Sequence, residues 1–136
     1  MRILSVPVCL FALALALGAA EPPPLPFEKL FGPETPTGRY KHPSTITELD
    51  NGDLLLAWYG GEGEYATATK GFGSTQRRGG RGWSAPRVLA ENPFHSMGNP
   101  TLWQAPDGVV WLFFVVRPGD TWGTSRIAAK ISRDRG

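Results

Sequence analysis

Beyond an apolar opening run, the chain carries short apolar stretches separated by clusters of Gly, Pro, Asn and Asp. No later stretch has a sustained helical period. That pattern predicts an all-β chain. Strands are expected at residues 44–49, 54–59, 65–70 and 83–89. Asp50-Asn51-Gly52-Asp53 reads as a tight hairpin turn in which the Asn-Gly pair supplies positive φ angles. A glycine-rich loop is expected between the third and fourth strands, and residues 27–31 are expected to add a short strand.

The pattern then restarts. Strands are expected at 99–104, 109–116 and 125–132, with a turn at Ala105-Pro106-Asp107-Gly108. Gly52 and Gly108 occupy equivalent turn positions, and Lys70 and Lys130 are expected to close equivalent third strands. Four-stranded units that repeat, with a Trp on the outer strand, are the pattern of β-propeller blades. A β-sandwich with coincidental self-similarity is the competing architecture. The last five residues, Ser132-Arg133-Asp134-Arg135-Gly136, open an Asp-box turn, S-x-D-x-G-x-x-W. The sequence is therefore expected to stop inside a blade, as a fragment of a longer propeller. Alone it is expected to be poorly folded and prone to aggregate through open sheet edges.

The opening run changes the compartment. Arg2, an apolar stretch and Gly18-Ala19-Ala20 make a signal-peptide layout over residues 1–20, too short for a comfortable membrane span. An uncleaved anchor is the alternative. A secreted or periplasmic protein is expected, with no membrane span after cleavage. The one cysteine, Cys9, lies in that segment, so the mature chain has no disulfide. Residues 21–38 form a Pro-rich linker and N-terminal segment.

Charge excludes little but sharpens the picture. The net charge is +2, and Arg77, Arg78 and Arg81 sit among glycines without interleaved aromatics, so no nucleic-acid footprint is expected. His42 and His95 have no metal-ligand spacing, and Gly71-Phe72-Gly73-Ser74 lacks the lysine and helix of a phosphate loop. No metal and no cofactor are expected.

Several motifs in order resemble the sialidase (neuraminidase) family with bacterial-neuraminidase repeats. Tyr40-Lys41-His42-Pro43-Ser44 is similar to the family's Tyr/Phe-Arg-Ile-Pro-Ser motif. Residues 51–61, reading NGDLLLAWYGG, resemble its second strand. Trp83-Ser84-Ala85-Pro86 resembles the outer strand, and Asn99-Pro100-Thr101-Leu102 with Trp111-Leu112-Phe113-Phe114 resembles the second blade. The resemblance implies a six-bladed β-propeller of which 39–136 supplies the first two blades, about 39–90 and an incomplete 97–136. It implies an exo-alpha-sialidase type of glycoside hydrolase acting on glycans, truncated before its nucleophile. In that family a tyrosine paired to a glutamate is the nucleophile, an aspartate is the general acid and three arginines grip the sugar carboxylate.

The chain departs from that pattern. The first family arginine falls on Lys41, which has the charge without the bidentate fork. His42 replaces an apolar residue and is either a sugar contact or a loop-stabilising group. Where the family aspartate is expected, the chain offers Glu62 and Glu64 as candidate proton donors, against the reading of a solvated loop. Asn99, Arg117 and Trp122 are further candidate substrate contacts, Trp122 by stacking on a sugar ring. Tyr65 reads as structural, because neighbours on a strand face opposite sides. A non-catalytic carbohydrate-binding propeller, or a propeller hydrolase or lyase for another sugar, remains the alternative.

Overall fold

The structure is a computed structural model that describes residue 24 and residues 26–136; the expected signal segment lies outside the described residues. Strands β1 (Tyr40–Glu48), β2 (Leu54–Gly61), β3 (Lys70–Gln76) and β4 (Arg87–Ala90) form one antiparallel sheet in sequence order. Strands β5 (Ser96–Gln104), β6 (Val110–Arg117) and β7 (Arg126–Ser132) form a second, also in sequence order. A short 3-10 turn, Trp122–Thr124, precedes β7. Among the described residues no helix is long and apolar enough to cross a membrane.

The unbroken apolar run of β2 follows from burial on both faces. Leu55 and Ala57 face the second sheet and join Met97, Leu102, Val110 and Leu112 in one core. The alternate residues face the other way: Trp58 stacks on Phe31 of the N-terminal segment, ring centroids 4.7 Å apart, and on Phe72 of β3 at 6.2 Å. Its indole Nε1 donates to Thr37 Oγ1 at 3.3 Å. The 27–31 stretch is not the strand its composition suggests; it carries no strand pairing and packs on the first sheet through Phe31.

The two inner hairpins are built alike. The amide of Gly52 donates to the carbonyl of Leu49, and the Leu49 amide to that of Asp53; Gly108, Ala105 and Val109 repeat this with the same 2.8 Å distances. Gly52 has φ +80° and Gly108 φ +82°. Asn51 has no positive φ, so the loop is a three-residue turn closed by a left-handed glycine, not the two-residue Asn-Gly turn. β1 and β5 each carry a bulge, spanning His42-Pro43 and Asn99-Pro100. Proline lacks the N–H a ladder needs and fits where pairing is interrupted.

The third strand differs most from the sequence reading. β3 is Lys70–Gln76, the glycine-rich stretch, and residues 65–69 belong to the loop before it. Lys70 therefore opens β3, while Lys130 lies near the end of β7, and the two are not equivalent. Packing decides this: the pairing with β2 that runs from Leu54↔Gln76 to Gly60↔Lys70 puts Phe72 beside Trp58.

The sheets are joined at their turn ends. The Asp50 amide donates to Gln104 Oε1 at 2.6 Å, and the Asp50 carboxylate meets Arg135 Nε at 3.1 Å. Lys130 Nζ donates to the carbonyl of Leu89 at 2.7 Å. After β7, the Ser132 hydroxyl accepts from the amides of Asp134 (3.2 Å) and Gly136 (2.7 Å), folding the last residues into a compact turn.

Candidate functional site

At the end opposite those turns, four segments converge: the starts of β1 and β5, the β2–β3 loop at 62–69 and the β6–β7 loop at 118–125. The glycines at the end of β2 make room for close neighbours, since a Cβ at Gly60 would collide with the Thr37 carbonyl and one at Gly61 would lie 2.7 Å from Thr69 Oγ1. The β2–β3 loop then carries Glu64 and Tyr65 to Arg117 at the end of β6. There Arg117, the last residue of β6, is 2% exposed. Its Nη1 donates to the carbonyls of Glu64 (3.0 Å) and Met97 (3.4 Å). Its Nη2 lies 3.7 Å from Glu64 Oε1. The guanidinium carbon sits 4.0 Å from the Trp122 ring centroid, 5.4 Å from Tyr65 and 5.9 Å from Tyr59. Gly98 makes this crossing possible, since a Cβ there would lie 2.5 Å from Nη2.

A row of aromatic groups continues from the guanidinium. Tyr40 donates its hydroxyl to Glu64 Oε2 at 3.5 Å. Tyr59, 1% exposed, has its hydroxyl 3.4 Å from His42 Nδ1. Burial, then the hydrogen bond with Tyr40 and the charge of Glu64, push the Tyr59 phenol well above its ordinary titration range. This phenol stays neutral through any physiological pH and acts as a fixed hydrogen-bonding group.

The residues singled out in the sequence divide into two groups. Glu64, Arg117 and Trp122 come together, with His42 linked to them through Tyr59. Asn99 lies exposed in the β5 bulge with φ +47°, a left-handed conformation that asparagine tolerates better than most residues. Glu62 points away, paired with Arg39 at 3.4 Å on the exposed rim. Lys41 gives its ammonium to the carbonyl of Gly38. Lys41 and His42 also border a separate cavity of about 440 Å³ between β1 and the N-terminal segment, floored by Phe31 and Trp58.

Tyr65 corrects the sequence reading. It lies in a loop and not on a strand, so it and Glu64 both reach Arg117. Tyr40 and Tyr59 were not singled out as site residues. Tyr40 was visible as the first residue of the YKHPS motif, whereas Tyr59 reads as one more apolar residue of a buried strand.

The arrangement places a carboxylate between a phenol and a guanidinium, beside aromatic rings able to stack on a sugar. It can bind an anionic or hydroxyl-rich ligand and move a proton at Glu64.

The family described as the BNR repeat-like domain matches residues 52–136. No curated protein matches the sequence. Among solved structures, the Hadza microbial sialidase Hz136 is similar, with a TM-score of 0.60 at 12% identity. The match covers 74% of this chain and 25% of that protein, so the chain spans about a quarter of the length of the sialidase it resembles. At that identity the likeness is one of fold: all-β, with antiparallel sheets.

Proposed function

The chain belongs to the BNR repeat-like domain family, and from that premise we propose that it is the N-terminal part of an exported, sialidase-like glycoside hydrolase. In this reading the two sheets are the first blades of a six-bladed propeller. The turn at Ser132-Arg133-Asp134-Arg135-Gly136 is an Asp box, and residues 1–20 direct export. The substrate is a glycan ending in sialic acid.

One observation carries the reading. Glu64, Arg117, Trp122, Tyr40 and Tyr59, from three strands and two loops, meet at one end of the sheets, where a carboxylate lies within reach of a phenol and a guanidinium. Side chains so scattered in sequence need not meet for folding alone. Glu64 is the acid–base group in preference to Glu62, which is spent on Arg39 at the rim. Arg117 and Trp122 bind substrate, and His42 orders the Tyr59 hydroxyl. Lys41 borders the separate cavity beside β1 and meets the sugar only if it releases the Gly38 carbonyl.

The test is turnover by the full-length gene product of an aryl sialoside and of sialylated glycans. Activity is expected, with Glu64→Gln lowering kcat/KM by about 10²–10⁴-fold, the usual contribution of a general acid or base. No release of any terminal acidic sugar overturns the hydrolase assignment. The tie of Lys41 to Gly38 favours a second reading, a carbohydrate-binding propeller without turnover, whose mark is glycan binding with no product.

A further inference from the structure

Tyr59 is buried, yet its hydroxyl is not sealed in apolar packing. The β1 bulge explains this. Lys41 pairs with Gly60 and Ser44 with Trp58, so His42 and Pro43 together stand opposite Tyr59. A bulge re-aims a side chain, and here it brings His42 Nδ1 to 3.4 Å from the Tyr59 hydroxyl. On the other side is Tyr40, its ring centroid 6.0 Å from that of Tyr59. Burial first, and then the Tyr40 hydroxyl, hold the Tyr59 proton in place. Tyr40 in turn gives its own hydroxyl to Glu64 Oε2 at 3.5 Å. His42, Tyr59, Tyr40 and Glu64 thus form a file of polar groups through the end of the first sheet. Catalytic hydrogen bonds are often this long before substrate binds and tighten afterwards.

The two ends of the file open on different sides. His42 is exposed and borders the cavity of about 440 Å³ beside β1. Glu64 keeps 28% of its side chain exposed, on the side of Arg117 and Trp122. A sugar seated against those two residues covers Glu64 and leaves His42 in water. The charged groups at the two ends differ as well. Lys29 of the N-terminal segment, 3.7 Å from Glu34, and Lys41 of β1 border the cavity with His42. Arg117 of β6 faces Glu64. Each hydroxyl has one proton to give, which leaves the file two complete arrangements. With His42 charged and Glu64 ionised, every donor points from His42 towards Glu64. With His42 neutral and Glu64 a carboxylic acid, every donor points back. The two arrangements hold the same number of protons.

We propose that this file is a proton relay, in which His42 takes a proton from solvent in the cavity and passes it through Tyr59 and Tyr40 to Glu64. In the transfer the Nδ1–H bond of the imidazolium breaks as the Tyr59 oxygen gains that proton. The Tyr59 O–H bond breaks towards Tyr40, and the Tyr40 O–H bond breaks towards Glu64 Oε2. His42 ends neutral, Glu64 ends as a carboxylic acid, and each phenol ends with one proton as it began. Nothing is oxidised or reduced. The use of this proton, to restore the acid after each turnover, rests on the hydrolase reading; the route rests on the geometry.

The test is a pH titration of the full-length gene product by NMR, with carbon-13 in its glutamate carboxyls and histidine rings and no substrate present. Glu64→Gln and His42→Gln assign the two signals. The Glu64 carboxyl signal is expected to inflect at the pH where the His42 ring titrates. Tyr59→Phe leaves both charges in place and cuts the relay, so the shared inflection is expected to vanish while His42 still titrates. If Tyr59→Phe does not fold, Tyr40→Phe, at a half-buried position, cuts the next link and gives the same answer. An inflection that survives the phenylalanine is a charge effect through space and overturns the proposal, as does a Glu64 signal that never follows His42. In turnover, His42→Ala is expected to lower kcat by about tenfold or more at unchanged KM, and imidazole added to the buffer is expected to restore it. Coupled titration without turnover keeps the relay and ends the hydrolase reading. Turnover that ignores His42→Ala, like independent titrations, overturns the relay and leaves the hydrolase reading standing.

Discussion

Gly98 shows how much one absent side chain can decide. Arg117 crosses β5 where a Cβ would stand 2.5 Å from Nη2. Gly98→Ala is expected to push the guanidinium aside at a cost of about 1 kcal/mol, since the opposing atom ends a flexible side chain. The change should appear in near-ultraviolet circular dichroism as an altered Trp122 environment and in a lower urea midpoint. Tyr59 gives a pH prediction. Its phenol titrates above its ordinary range in the folded protein, so the folded state holds that proton more tightly than the unfolded state does. Its stabilising share is intact below pH about 10 and is lost as pH rises through the folded value. Urea unfolding at pH 9 and 11 should show alkaline destabilisation that Tyr59→Phe reduces. At this scale the sequence reading named Glu64, Arg117 and Trp122, and the fold brings these three into contact. Tyr59 stayed hidden because a buried tyrosine in an apolar strand has the pattern of packing alone.

At the level of elements, the two inner hairpins offer an internal control. Both glycines sit at positive φ, so alanine at either is strained by about 1 kcal/mol. A Cβ at Gly52 would also lie 2.7 Å from Arg78 Cδ, whereas at Gly108 the nearest atom is 3.9 Å away. Gly52→Ala should therefore lower the urea midpoint more than Gly108→Ala. A reversed order would mean the Arg78 side chain yields freely. Asp53 fastens the first hairpin to the β3–β4 loop. It accepts the Arg78 amide at 2.8 Å and meets Arg77 Nη1 at 2.8 Å, and these bonds, the backbone one foremost, hold its carboxyl below the usual range. This contribution is present above pH about 4 and is lost as the pH falls through the lowered value. An acid titration of stability in Asp53→Asn should lack that part of the wild-type decline. The hairpins were legible because glycine after Asp or Asn leaves few turn geometries. β3 was not legible, because Gly71-Phe72-Gly73 has loop composition and is strand only through Phe72 packing on Trp58.

Across the whole molecule, one face of the second sheet carries Trp103, Trp111, Phe113, Ile127 and Ile131 in paired rows. Trp111 and Phe113 stack on each other, and Ile127 is 74% exposed. An apolar face of this kind favours association. Sedimentation velocity on residues 21–136 should show concentration-dependent association. Ile127→Lys with Ile131→Lys should suppress it while leaving the unfolding midpoint nearly unchanged, as expected for exposed positions. Repetition, all-β character and the two-sheet organisation were legible from spacing; which sheet face stays open was not, because period-2 patterning cannot say what covers a face. The two sheets also meet at both ends, through Arg117 against Glu64 at one and Arg135 against Asp50 at the other. Two pins on one seam resist both splaying and torsion, whereas one pin permits a hinge. The pair of sheets is therefore a stiff wedge, and its opening angle dictates the curvature that any assembly continuing from it inherits. A substitution at Arg135 would remove one pin and leave the other, at Arg117, to act as the pivot of a hinge.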